Sequence, residues 1–300
     1  MRIFRYIDEN GNITLAAMND QNHMFPLAYR DFLHLVEEAE KQGVTPLTLV
    51  QQSIQNTSPL ETSLEQLQLL VPIEAPEVWA AGVTYERSRD ARNYEATGGK
   101  LDAKTFYDKV YDAERPELFM KSTAARTIGP DGELYIRSDS NWQIPEPELG
   151  LVLNKEGKIL GYTAGNDLSC RDIEGENPLY LPQAKIWKNS CSIGPVIRLA
   201  ETVQDPYSLQ ITCKIHRNGE KMVEGTANTS QLKRKYDELV SYLIRDNIIF
   251  DGTVLLTGTC IVPPNEFTLQ DGDQVEIEIS EIGVLSNPIR QRVKQTASVS

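Results

Sequence analysis

The spacing of hydrophobic positions changes along the chain, and each change marks an element. Residues 1–20 alternate, with Ile3 and Tyr6 or Ile7 before an Asn10-Gly11-Asn12 step and Ile13 and Leu15 after it. Period two on both sides of an Asn-Gly turn predicts a small hairpin. Over residues 27–42 the spacing lengthens: Tyr29, Phe32, Leu33, Val36 and Ala39 recur at helical intervals and Gly43 supplies a stop, which predicts a helix. Residues 47–52 read as another short helix and 63–70 as an ordered lead-in. Val71-Pro72-Ile73 and Pro76 close this unit, so residues 1–71 are expected to form a small N-terminal α/β domain and 72–300 a larger one.

Residues 78–83 are a short buried strand that runs into the polar cluster Thr84-Tyr85-Glu86-Arg87-Ser88-Arg89-Asp90. Side chains exposed at a strand end are where sites are built, and Arg87 and Arg89 qualify, although a plain helix start with a charged face reads the same way. Residues 86–118 are polar and helical in propensity, interrupted by Gly98-Gly99 and Pro116, and resemble a helical lid-like insertion. Leu118-Phe119-Met120 returns the chain to the interior and places Lys121 at a strand end. Further strands follow at 133–136, 209–217, 221–225, 252–259 and 275–279, with Asn218-Gly219 and Asp271-Gly272 as turns, and a helix at about 233–245 packs Leu232, Tyr236, Leu239 and Leu243 inward. Strands with few helices and no regular βαβ alternation make this an α+β protein.

Composition narrows the chemistry. The 300 residues are 40% hydrophobic, no apolar run approaches a bilayer span, and the segment MRIFRYIDENGN lacks the apolar region of a signal peptide. A cytoplasmic protein is expected, with no membrane partner. A net charge of -13 disfavours nucleic acid. Four widely spaced cysteines make no Cys-x-x-Cys pair, so neither a zinc knuckle nor a disulfide framework is indicated. Neither a Gly-x-Gly-x-x-Gly after a strand nor a Walker loop occurs.

The informative stretch runs from Trp142 to Arg171, WQIPEPELGLVLNKEGKILGYTAGNDLSCR. Glu146 and Glu148 are two apart, so on extended backbone both carboxylates leave one face. A hairpin-like return would bring Asp167 beside them. Three oxygen ligands without histidine or cysteine nearby favour Mg2+, Mn2+ or Ca2+ over zinc. Glu-Pro-Glu at a strand start is also the pattern of a solvated edge. Lys185 and Lys188 are competing candidates for a base or electrostatic clamp near such a cation, and Thr257-Gly258-Thr259 offers hydroxyls and backbone N–H groups to a carboxylate.

The ordered combination EPELGLVLNKEGKILGYTAGNDLSCRD, AKIWKNSCSIGP, LLTGT and LQDGDQVEIEISEIGVLSNPI resembles the fumarylacetoacetate hydrolase family over about residues 72–290. The resemblance implies a mixed β-roll catalytic domain beside the small N-terminal α/β domain, Mg2+ held by Glu146, Glu148 and Asp167, and Lys185 as the active-site lysine. It also implies a small anionic 2-keto acid as substrate, contacted by Tyr85, Arg87 or Arg89, Lys121, Arg171, Asp172 and Thr259, and a homo-oligomer of two or four copies. Hydrolytic members carry a histidine after the strand matched by Gly82 to Tyr85; here the three histidines lie elsewhere, and a lid carboxylate such as Glu95 or Glu114 would have to act as base. The segment VTYERSRDAR is similar instead to the sugar-acid branch, which implies dehydration of a 2-keto-3-deoxy-pentonate. The alternatives are a hydrolase, isomerase or decarboxylase of another 2-keto acid, or a non-catalytic small-molecule binding protein.

Overall fold

The strands Pro147–Leu153 and Cys191–Leu199 are buried at every position. A strand needs no polar alternation when both of its faces are covered, and both faces are covered here. The computed structural model describes residues 1–97 and 106–291, without the side chains of 95–97 and 106–107. Among the described residues an 11-stranded sheet runs in the order 24–27, 13–18, 2–7, 191–199, 159–167, 147–153, 253–259, 78–82, 117–122, with 68–70 and 127–128 pairing off this path. Most neighbours are antiparallel, but Thr253–Thr259 pairs parallel with Val78–Gly82. The α+β reading of the sequence is the architecture observed.

One face of the sheet is covered by the helices Phe32–Lys41 and Pro46–Ile54. Phe32, Leu35, Ala39 and Val50 pack there with Val152, Val254 and Leu256 of the central strands. Asp31 caps the first helix by accepting from the N–H of His34, and Thr45 caps the second by accepting from that of Thr48. The helix starts later than its apolar spacing suggested. Residues 24–27 form a strand instead, with Leu27 opposite Leu15, because cross-strand pairing outweighs local helical spacing. On the other face a five-stranded sheet, 220–228, 210–217, 274–279, 283–291 and 134–136, contributes Ile211, Ile215, Ile277 and Leu285 to a second core with Leu149 and Leu151.

The N-terminal strand Arg2–Ile7 is hydrogen-bonded into the large sheet, with Arg2 opposite Arg198 and Ile3 opposite Ile197. The central pair Pro147–Leu153 and Ile159–Asp167 is an antiparallel hairpin with Glu148 opposite Gly165. Its turn is held by Asn154, whose side-chain oxygen accepts from the N–H groups of Glu156 and Lys158 at 3.2 and 2.7 Å. No described helix is long and apolar enough to cross a membrane.

Ile3 is 1% exposed and packs in the same core as Ile197 and Val254. Ile3→Ala should cost about 2–5 kcal/mol, read from the denaturation midpoint. Because the sheet is continuous, that loss should appear in a single unfolding transition rather than in a separate N-terminal one.

Candidate metal centre and its surroundings

Register assembles the centre. The N–H of Asp167 donates to the carbonyl of Glu146 at 3.0 Å, which sets the end of one strand beside the start of its partner. Glu146, Glu148 and Asp167, all buried, then offer carboxylate oxygens that lie within 4.8 Å of one another. Octahedral oxygen coordination at about 2.0–2.1 Å places neighbouring ligands closer than that, so a small closure of the side chains suits Mg2+. The donor set is wholly oxygen, as a hard cation requires.

Backbone and cations fix the three carboxyls. Glu148 accepts from the N–H of Gly258 at 2.6 Å. Gly258 holds φ +96°, and a Cβ there would lie 1.9 Å from Thr84 Oγ1, so only glycine lets this N–H turn toward the site. Lys185 Nζ reaches Glu146 Oε2 at 2.6 Å, Asp167 Oδ2 at 3.2 Å and Ser169 Oγ at 2.5 Å. Lys121 Nζ pairs with Asp167 Oδ1 at 2.8 Å and donates to the carbonyls of Leu168 and Lys185 at 2.8 and 2.5 Å. Arg171 Nη2 stands 3.4 Å from Glu146 Oε1.

These neighbours set the protonation states. Burial pushes Glu146 above the ordinary carboxyl range against the pull of Lys185, and burial, then Asp167 and Glu146, push Glu148 well above it. Burial acts on Asp167 too, but Lys121 and Lys185 outweigh it and hold its pKa down. The Lys185 ammonium is held above its ordinary range because Asp167 and Glu146 overcome its burial. Burial lowers Arg171 to about 9.

The structure separates the remaining candidates. Tyr85 is buried with its hydroxyl unpartnered, and Thr259, opposite Glu148, is buried with its hydroxyl turned to Ile261. Lys121 is buried, and its contacts hold Asp167 and the main chain at Leu168 and Lys185. Asp172 turns outward and ties down the 140–141 loop through Ser140 Oγ at 2.6 Å and the N–H of Asn141 at 2.7 Å. Lys188 lies over the Tyr135 ring, 5.7 Å from its centroid. Arg87 is exposed and reaches the carbonyl of Val262 at 3.5 Å. Arg89, on the helix Glu86–Thr97, is paired with Glu86, Asp90 and Asp108. Glu114 is exposed, and the side chain of Glu95 lies outside the described residues. His23 and His34 belong to the N-terminal segment and His216 to the second sheet.

Three charged residues near the centre are not apparent from the sequence reading. Glu117 opens the strand Glu117–Ser122 opposite Gly82, and a Cβ at Gly82 would lie 1.9 Å from Glu117 Oε2. That oxygen is buried without a hydrogen-bond partner, and burial raises the carboxyl pKa. Arg92, on the helix Glu86–Thr97, forms a buried ion pair with Glu174 of the helix Arg171–Glu176. A charged residue directly before an apolar run, as in Pro116-Glu117-Leu118-Phe119, and a serine-arginine pair four apart at 88 and 92 were the available signals.

Comparisons with known proteins agree with this geometry. The family model described as fumarylacetoacetate (FAA) hydrolase C-terminal matches residues 88–290. A 2-dehydro-3-deoxy-D-arabinonate dehydratase of Saccharolobus solfataricus is 50% identical over 233 residues, 78% of each chain. A probable 2-keto-3-deoxyxylonate dehydratase of Haloferax volcanii is 50% identical over 219 residues, 73% of this chain and 74% of its own. A solved 2-keto-3-deoxy-D-arabinonate dehydratase complexed with magnesium and 2,5-dioxopentanoate superposes with a TM-score of 0.83 at 40% identity, covering 98% of this chain and 100% of that one.

The raised Glu146 and Glu148 add stability only while protonated, so their contribution is present below the ordinary carboxyl pKa and is lost as pH rises through the folded values. Asp167, with its pKa lowered, has the opposite sign: its contribution is present above the ordinary value and is lost as pH falls through the folded one. Mg2+ requires all three ionised. The rise in melting temperature caused by Mg2+ should therefore grow as pH rises above the ordinary carboxyl range, where Glu146 and Glu148 ionise, and disappear in Glu148→Gln; a shift independent of pH would contradict the ligand set. Lys121→Met, which strips Asp167 of a buried partner, should cost about 3–5 kcal/mol in the denaturation midpoint.

Proposed function

The chain belongs to the fumarylacetoacetate hydrolase family, and from that premise we propose that it is a Mg2+-dependent dehydratase converting a 2-keto-3-deoxy-pentonate to 2,5-dioxopentanoate. The charge balance of the buried centre carries this reading. Among the described residues, five carboxyls (Glu117, Glu146, Glu148, Asp167, Glu174) face four cations (Arg92, Lys121, Arg171, Lys185). A divalent cation and a monoanionic 2-keto acid together bring the sum to zero.

When bound, Mg2+ polarises the 2-keto acid and makes the adjoining C3–H acidic. Lys185, charged and 0% exposed, puts an ammonium beside Glu146 and Asp167, where negative charge on the substrate oxygen develops. It serves there as an electrostatic clamp. Glu117 is the carboxyl placed to move protons. Its buried, unpartnered oxygen and raised pKa suit a group that takes the C3 proton and returns it to the departing C4 hydroxyl as water. The C3=C4 product rearranges as C5 loses a proton and C3 gains one, and the resulting enol passes its O–H proton to C4, leaving the C5 aldehyde. Water is the only group lost.

A hydrolase of acylpyruvates is the second reading, and it would use the same Glu117 to activate water. Turnover of 2-keto-3-deoxy-D-pentonate, the single compound that the D-arabinonate and D-xylonate series both give, separates the two. Aldehyde formation should require Mg2+, stop with EDTA and be abolished in Glu146→Gln. Glu117→Gln should lower kcat by about 10²–10⁴ while the Mg2+-induced melting shift persists. Gly82→Ala, which displaces that carboxyl, should act in the same direction. Cleavage of an acylpyruvate with no dehydration of the sugar acid would replace the dehydratase by the hydrolase.

A further inference from the structure

The helix Glu86–Thr97 meets the rest of the protein through an unusual face. Its sequence, ERSRDARNYEAT, has no apolar stripe, and among its described side chains the buried ones are Ser88 and Arg92, 7% and 4% exposed. Four apart, they share one face. A helix that only packs buries apolar groups there, because a buried hydroxyl or guanidinium is costly without polar partners. The partners available are carboxyls. Arg92 pairs with Glu174, and its charge acts on both Glu117 and Glu146. Arg92 is thus near enough to Glu117 and Glu146 for its charge to act on both carboxyls, and Ser88 lies on the same helix face.

We propose that Ser88 and Arg92 form the specificity-determining wall for the hydroxyl-bearing end of the substrate, with Glu174 holding the guanidinium in place. The inference rests on the dehydratase reading and deepens it. With the 2-keto acid end at the carboxylates, the chain of a pentonate extends away from Glu146 past Glu117, and its C5 hydroxyl meets a hydroxyl and a guanidinium fork. A site built from buried polar groups rejects an analogue that leaves them unpaired far more strongly than an apolar pocket rejects an added hydroxyl. Such a wall selects polyhydroxylated 2-keto acids over those ending in a methyl group.

The test compares kcat/KM for 4,5-dihydroxy-2-oxopentanoate and for 4-hydroxy-2-oxopentanoate, which lacks the C5 hydroxyl. It uses the wild type, Ser88→Ala, Arg92→Met and Arg92→Lys, each first checked for its melting temperature and Mg2+-induced shift. The wild type should prefer the dihydroxy acid by roughly 10²-fold or more. That preference should fall at least about tenfold in Ser88→Ala and Arg92→Met and recover in part in Arg92→Lys. Loss by the same factor on both acids, or an unchanged ratio, overturns the inference and leaves the pair as a lid contact. If the wild type turns over neither acid, the dehydratase reading has failed. The wall is then judged by the Mg2+-dependent melting shifts that the two acids induce: a larger shift with the dihydroxy acid that Ser88→Ala removes supports it, and equal shifts overturn it.

Discussion

A carboxylate taken out of water is tolerable only beside a positive charge, and the centre of this protein is built on that constraint. Glu146, Glu148 and Asp167 converge where solvent does not reach. Two lysines without exposed surface stand among them. Lys185 joins Glu146 to Asp167, while Lys121 joins Asp167 to the main chain at Leu168 and Lys185. The second lysine thereby links the strand end that carries a metal ligand to the helix end that carries the first lysine. The cations pair with Glu146 and Asp167, and a metal ion would supply further positive charge to the three carboxylates.

Such a cluster needs a rigid frame. The large sheet provides it because helices cover one face and a second sheet the other, so that its middle strands are uniformly buried. The three carboxylates sit at the ends of two of these strands, where side chains project from a fixed backbone, and the helix Arg171–Glu176 reaches them through Arg171 and meets the helix Glu86–Thr97 through Glu174. The sheet thus holds the three carboxylates, and the helix Glu86–Thr97 brings Arg92 to Glu174 beside them.

Much of this was legible in the sequence. The Asn10-Gly11 and Asn218-Gly219 hairpins, the apolar run after Glu148 and the Glu-x-Glu pair with Asp167 depend on local spacing, and local spacing survives folding. Residues 24–27 escaped because their strand is made by a partner, Leu15 opposite Leu27. The arginines show the same limit. Arg87, Arg89 and Arg92 are alike in sequence, but only Arg92 meets a buried carboxylate, and that carboxylate, Glu174, lies some eighty residues away in the chain. Glu114 and Glu117 differ in the same way: the one faces water, and the other lies against Gly82, where the absence of a side chain leaves room for it.

The hairpin between the metal ligands has a consequence for how the chain tolerates change. Its turn, held by Asn154, lies at the end of the strands remote from the carboxylates, but it fixes which residues stand opposite one another along both. A slip of one position would turn every side chain to the opposite face, carrying Glu148 away from Asp167 and breaking two cores together. The irregular pairing between Val152 and Leu153 can absorb a local error at that end. An insertion or deletion at 154–158 thus acts like a change of ruler, setting the spacing of the carboxylates from a loop that never touches the metal.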